Sequence, residues 1–199
     1  MNENSKNSSL TEDELDVTLM LQAQTGCMSA FEQIVERHQH TVIGTVTKML
    51  GNNKDSQDIS QQVFIRLWKS APKYQRKAKF TTYLYTITRN LVFNEIQKRD
   101  RRKTSSLDER EEIHHIEAES SPKNSPSNQI LEVEMHKAID KAIQNLPEKQ
   151  RMAIVLRRYE LLPYEEISSI LGLSLSALKS QLFRARNSLR ESLREYLDQ

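Results

Sequence analysis

Four glycines and five prolines are all that punctuate these 199 residues, and between them apolar side chains recur at steps of three and four. The intervening stretches are rich in Leu, Ile, Glu, Lys, Arg and Gln, a composition that favours helices and an all-α fold. Thr11-x-x-Glu14 and Ser29-x-x-Glu32 have the form of capping boxes, in which a hydroxyl accepts an orphan backbone N–H and the glutamate reaches back. The first predicts a short helix stopping at Gly26, and the second a longer one ending at Gly51, with glycine supplying each left-handed C-terminal turn. Within the second, Phe31, Ile34, Val35, His38, Val42, Val46 and Met49 keep to one face. A third helix is expected from about Asp55 to Ala71, stopped by Pro72, and a fourth from about Thr81 to Lys103.

From residue 104 to about 127 the chain turns Ser-rich, acidic and proline-punctuated, and it cannot bury enough apolar surface to offset chain entropy. This reads as a flexible acidic linker between two small helical domains. Beyond it, helices are expected over roughly 128–145 and after Pro147, the latter with Met152, Val155, Leu156 and Tyr159 on one face. Pro163 suits the first turn of the next helix, which runs through Leu171. Gly172-Leu173-Ser174 makes a tight turn, and a last helix reaches about Tyr196. The expected division is a disordered 1–10, a domain over 11–103, a linker over 104–128 and a domain over 129–199.

The net charge of +2 conceals a strong segregation. Residues 1–65 carry −5, residues 66–103 carry +10, residues 104–135 carry −6 and residues 136–199 carry +3. A surplus of ten positive charges in so short a segment marks a surface for a polyanion. Cys27 stands alone, so no internal disulfide forms, which suits a reducing compartment. The start of the chain lacks the basic and apolar segments of a signal peptide. No run of about 18 apolar residues occurs to insert in a membrane. A cytoplasmic location follows as the expectation. The five histidines, His38, His40, His114, His115 and His136, form no ligand set with Cys27. No phosphate-binding glycine loop or nucleophile–base pair appears, so neither a cofactor nor an enzymatic activity is expected.

Two constellations point to nucleic acid. Tyr164 to Arg186 has the spacing of a helix-turn-helix, its second helix capped by Ser174. Leu178, Leu182, Ala185 and Leu189 form the buried stripe of that helix. Ser176, Lys179, Ser180, Phe183 and Arg184 face outward, the small polar and basic set that a major-groove reader needs. In the fourth helix Leu84, Ile87 and Leu91 point inward, and Tyr83, Asn90, Asn94 and Arg101 share an adjacent stripe. Upstream, residues 73–80 interleave basic with aromatic side chains, as single-stranded DNA requires. Phe80 and Tyr85 read equally well as core.

The segment Asp55-x-x-Asp58-x-x-Gln61-Gln62-Val63-Phe64-Ile65-x-Leu67-Trp68, followed by Phe80-x-x-Tyr83-Leu84-Tyr85-x-Ile87-x-Arg89-Asn90-Leu91, resembles region 2 of the sigma-70 family of sigma factors. Leu146-Pro147-x-x-Gln150-Arg151, Tyr164-Glu165-Glu166-Ile167 and Lys179-Ser180-x-Leu182-Phe183-Arg184-Ala185-Arg186 resemble region 4. The resemblance covers about 11–103 and 129–196 and leaves no room for other regions, which points to the extracytoplasmic-function (ECF) group. It implies promoter DNA and the beta-prime and beta subunits of core RNA polymerase as partners, and an anti-sigma factor besides. It assigns Asp55, Asp58, Gln61, Gln62, Phe64, Ile65 and Trp68 to the polymerase surface. Lys77, Lys79, Phe80, Tyr83, Arg89, Asn90, Asn94 and Arg101 fall to the minus-ten element. Ser176, Lys179, Ser180, Phe183, Arg184 and Arg186 fall to the minus-thirty-five element.

The sequence departs from the family pattern in places. Gln62 stands where an acidic residue is usual, Tyr83 for a frequent tryptophan, Gln181 for a common arginine, and Ser176-Ala177-Leu178 for Gly-Thr-Val. Two other readings compete: a helix-turn-helix regulator that does not engage core polymerase, and a recombinase-like enzyme. The Asp55–Trp68 helix argues against the first, and the lack of a nucleophile with clustered acids or arginines argues against the second.

Overall fold

Thr11 caps the first helix, α1 (Glu12–Gln24), as its spacing predicts: its hydroxyl accepts the Glu14 N–H at 3.3 Å, and the Glu14 carboxylate accepts the Thr11 N–H at 2.9 Å. The Ser29 box does not form. α2 (Met28–Leu50) starts with Cys27 at the cap position and encloses Ser29 in its first turn. Gly26, at φ +93°, turns the chain so tightly that the helix resumes before Ser29 can cap it, and the Ser29 hydroxyl meets the Cys27 Sγ instead. The computed structural model describes residues 11–51, 53–105 and 126–197. The expected disordered terminus, 1–10, and residues 106–125 of the expected linker lie outside the described residues.

α3 (Asn53–Ser70) runs into a single 3-10 turn, Ala71–Lys73, that accommodates Pro72, and α4 (Phe80–Ser105) completes the first domain. The second domain comprises α5 (Pro126–Gln144), α6 (Glu148–Arg158), α7 (Tyr164–Leu171), α8 (Leu175–Ser192) and the short α9 (Arg194–Leu197). No strand occurs among the described residues. Pro163 takes the cap position of α7 rather than its first turn, with ψ 157°. Ser174 caps α8 by accepting the Ala177 N–H at 3.2 Å, and Gly172, at φ +64°, makes the turn between them.

The first core gathers Met20, Ile34, Val42, Val46, Val63, Leu67, Phe80 and Leu84, and the second Met152, Val155, Leu156, Ile167, Ile170, Leu178 and Leu182, all essentially without solvent contact. Ile87 and Leu91 face inward as expected, half-buried against the core, while Tyr85 and Val92 take the deepest positions beside Leu84. One inward expectation is corrected. Tyr159 is exposed, because α6 ends there; the Lys48 ammonium lies 4.5 Å over its ring.

The flexible-linker reading left the two domains independent, yet they pack together, α4 against α7 and α2 against α5 and α6. Complementary chemistry accounts for this. The last carbonyls of α2 have no partner within the helix. Gln144 donates to Lys48 O, Arg151 to Met49 O at 2.5 Å and Arg99 to Leu50 O at 3.1 Å, while the Gly51 N–H serves Thr47 O. Two of these four donors come from the second domain.

Candidate nucleic-acid and polymerase interface

The outer side of α3 carries the first set of site residues. Asp58, Gln61, Gln62 and Ile65 are exposed there, and Ile65 keeps 46% of its surface open. Phe64 is buried, and Trp68 is half-buried with its ring 4.9 Å from that of Phe31. Both hold α3 in place; Phe64 has no free face for a partner, whereas Trp68 keeps part of its surface open. Asp55 accepts from the Arg99 guanidinium of α4. A depression lined by Ile65, Arg66, Lys69, Lys73 and Leu91 connects this surface with α4.

The second set divides. Lys77 and Lys79 are exposed in the loop before α4, and Asn90, Asn94 and Arg101 are exposed along it. Asn94 and Arg101 line one concavity with Gln97, Lys98 and Arg102. Tyr83 is half-buried, its hydroxyl donating to Ser70 Oγ at 2.7 Å and its ring 5.2 Å from Tyr74. Phe80 is fully buried against the His38 ring, which leaves no face for a base. Of the two readings open for Phe80 and Tyr85, the structure places both in the core.

The third set is coherent. On α8, Leu178, Leu182 and Ala185 are buried while Ser176, Lys179, Ser180, Phe183, Arg184 and Arg186 are exposed. Phe183 keeps 65% of its surface open. Arg186 also donates to the Tyr164 hydroxyl at 3.1 Å, tying α8 to α7.

Two glutamates join the domains around α2 and α4: Glu160, which no motif marks, and Glu166, which stands within the region 4 motif without an assigned contact. Glu160 accepts from the Tyr85 hydroxyl at 2.6 Å and the Thr45 hydroxyl at 2.8 Å. Burial and this carboxylate together push the Tyr85 phenol far above its ordinary range. Glu166 sits 2.6 Å from the Lys79 ammonium, and its hydrogen bond raises the lysine. Arg89, half-buried near Gly172, donates to Asn90 Oδ1, but its buried Nε finds no partner. The acidic residues of α7 and the basic block around α4 were visible in the sequence, but their pairing needs the tertiary fold.

Family models match two stretches of the chain: Sigma-70 region 2 over residues 34–102 and Sigma-70, region 4 over residues 136–189. The chain is 30% identical over 186 residues to the RNA polymerase sigma-H factor of Pseudomonas aeruginosa, covering 92% of this chain and 96% of that one. It is 31% identical over 182 residues to the ECF RNA polymerase sigma-E factor of Escherichia coli, covering 90% and 95%. Among solved structures it shares its fold with the sigma factor RpoE of Bartonella quintana in complex with the anti-sigma factor NepR. The TM-score is 0.68 at 22% identity, over 82% of this chain and 96% of that one. CnrH in complex with the cytosolic domain of CnrY gives 0.66 at 21%, over 92% and 99%. With both regions matched in order and relatives aligned along nine-tenths of its length, the chain belongs to the sigma-70 family as an ECF sigma factor, a non-catalytic subunit that directs promoter-specific transcription initiation by RNA polymerase.

Proposed function

We propose that three surfaces of this sigma factor divide the work. The exposed side of α3, centred on Asp58, Gln61, Gln62 and Ile65, docks on core polymerase. The loop over residues 74–79, with Asn90, Asn94 and Arg101 of α4, takes the minus-ten element. The exposed side of α8, from Ser176 to Arg186, reads the minus-thirty-five element in the major groove. The domains are 11–103 and 129–199, with 104–128 joining them. The observation that carries this reading is α8: basic and small polar side chains and an open phenylalanine stand opposite buried Leu178, Leu182 and Ala185. Among the described residues no helix is long and apolar enough to cross a membrane. The protein acts in the cytoplasm, where polymerase is, and an anti-sigma factor is its further partner, as the solved relatives' complexes suggest.

Charge reversal at Asp58 tests the assignment against α8. Asp58→Lys should leave folding intact and weaken core binding by about ten-fold, since an exposed interface charge is worth on the order of 1–2 kcal/mol. Arg184→Ala should leave core binding unchanged and relax sequence preference in the minus-thirty-five element, a loss of about 1–3 kcal/mol of discrimination. Phe183→Ala should penalise promoters with thymines there. Uniform loss across promoter variants would reduce these α8 residues to backbone contacts. Equal core affinity for Asp58→Lys and wild type would remove Asp58 from the interface.

The free chain should bind promoter DNA weakly. Glu166 occupies the Lys79 ammonium, and Arg89 lies half-buried near Gly172. Addition of core polymerase should raise promoter affinity by orders of magnitude in a filter or anisotropy assay. Tight, specific binding by the free chain would contradict this.

A further inference from the structure

We infer that α1 is a brace for the minus-ten reading loop, with Gln24 and Asp13 as positioning residues that hold its two ends for capture of the promoter strand. The inference rests on the reading that this loop meets the strand. α1 precedes the segment matched by the region 2 model, which begins at residue 34, and none of the motif residues quoted for the family lies on it.

The geometry is that of a clamp. At the start of the loop the Gln24 carboxamide donates to Tyr74 O at 3.1 Å and to Pro72 O at 3.4 Å. At its end the Asp13 carboxylate accepts the Phe80 N–H at 2.8 Å, and its other oxygen lies 3.7 Å from the Arg76 guanidinium. Asp13 and Gln24 are eleven residues apart, close to three turns, so both stand on one face of α1 about 16 Å from each other. The contacts reach the backbone at both ends and one basic side chain between.

The Asp13 contact solves a local problem. Phe80 is the first residue of α4, and its N–H has no partner within the helix. The residue before it is Lys79, which has no oxygen to cap with, and no acidic residue stands in the first turn of α4. A carboxylate from another helix therefore supplies the cap and the favourable negative charge. Meanwhile the side chains of Lys73, Gln75, Arg76, Lys77 and Lys79 remain exposed. A held backbone that presents Lys73 and Lys77 to solvent, with Arg76 steadied by Asp13 and Lys79 by Glu166, is preorganised for an extended polyanion, because little of the loop's freedom remains to be lost on binding.

The test uses the full chain and its complex with core polymerase. Its probe is a labelled single-stranded oligonucleotide carrying the minus-ten sequence of a promoter found by sequencing this holoenzyme's transcripts. Asp13→Ala and Gln24→Ala should each weaken strand capture by roughly five- to ten-fold and speed tryptic cleavage at Arg76 and Lys77. Core affinity should stay within about two-fold. Asp13→Asn keeps an acceptor for the Phe80 N–H and should restore most of the capture, although it removes the charge opposite Arg76. Capture equal to wild type in Asp13→Ala, or raised by the lost negative charge, overturns the brace. So does a fall in core affinity parallel to the fall in capture, which would make α1 only a stabiliser of the domain. If Lys77→Ala with Lys79→Ala captures the strand normally, the loop is not the reader and the brace falls with it. Continued promoter-specific initiation by that variant would keep the sigma assignment intact.

Discussion

Arg151→Ala should cost the second domain about 3 kcal/mol, read as a lowered urea midpoint with unchanged slope. Arg151 closes the motif Leu146-Pro147-x-x-Gln150-Arg151, whose likeness to region 4 assigned no role to the arginine. Its guanidinium donates to Leu146 O at 3.0 Å, to Gln144 Oε1 at 3.1 Å and to Gln144 O, and so fastens the corner between α5 and α6. The same group reaches Met49 O at the end of α2. Hydrogen bonds from a charged donor contribute about 1.5–3 kcal/mol, and removing the donor leaves part-buried carbonyls unsatisfied. Arg151→Lys should recover little, because one ammonium cannot reproduce a planar fork aimed at four oxygens. A lysine variant as stable as wild type would show that charge, and not the fork, matters. The contact to Met49 O joins the domains, whereas the others lie within the second. Arg151→Ala should therefore also loosen the contact between α2 and α6, seen as a larger radius of gyration in solution scattering.

What the sequence made legible follows from which interactions are local. The α1 capping box, the Gly51 and Gly172 turns and the leucine stripe of α8 depend on neighbours within four residues, and each stands where the spacing put it. The Ser29 box had the same local pattern and failed because Gly26 and Cys27 offered the helix an earlier start. Aromatic residues near α4 were ambiguous for a different reason. A basic–aromatic mixture suits both a stacking platform and a domain edge, and only the packing of His38 on Phe80 decides which ring is covered. The pairings across the domains were out of reach. Glu160 with Tyr85 and Thr45, and Glu166 with Lys79, span 75 to 115 residues of sequence. Blockwise charge counts showed a strongly basic centre, but they could not show that two carboxylates from the helix-turn-helix domain would cover part of it.

Asp16→Ala should destabilise the first domain by about 3 kcal/mol, and Asp16→Asn should abolish part of its sensitivity to acid. Asp16 is buried on α1 at 2% exposure, between Leu15 and Val17, where no motif marks it. Its carboxylate accepts from Arg37 Nε at 2.7 Å and pairs with His38 Nε2 at 2.9 Å, both on α2. Removing one partner of a buried pair costs about 3–5 kcal/mol. The low end applies here because Arg37, 32% exposed, can turn toward water. Burial alone would raise the Asp16 carboxyl, but the hydrogen bonds from His38 and Arg37 outweigh it and hold the group below its ordinary value. A carboxyl depressed on folding contributes stability that is complete above the unfolded value of about 3.9. That contribution is lost as pH falls below this and through the folded value. Urea unfolding from pH 7 to pH 3 should therefore show wild type and Asp16→Asn converging as the pH drops below about 4. Parallel curves would mean that the Asp16 charge has no part in acid unfolding. The same His38 ring packs 5.2 Å from Phe80, the first residue of α4. Loss of Asp16 should therefore also disturb the start of α4, and, on the proposed minus-ten role of this helix, strand capture by the holoenzyme should fall at pH 7 even where the domain remains folded.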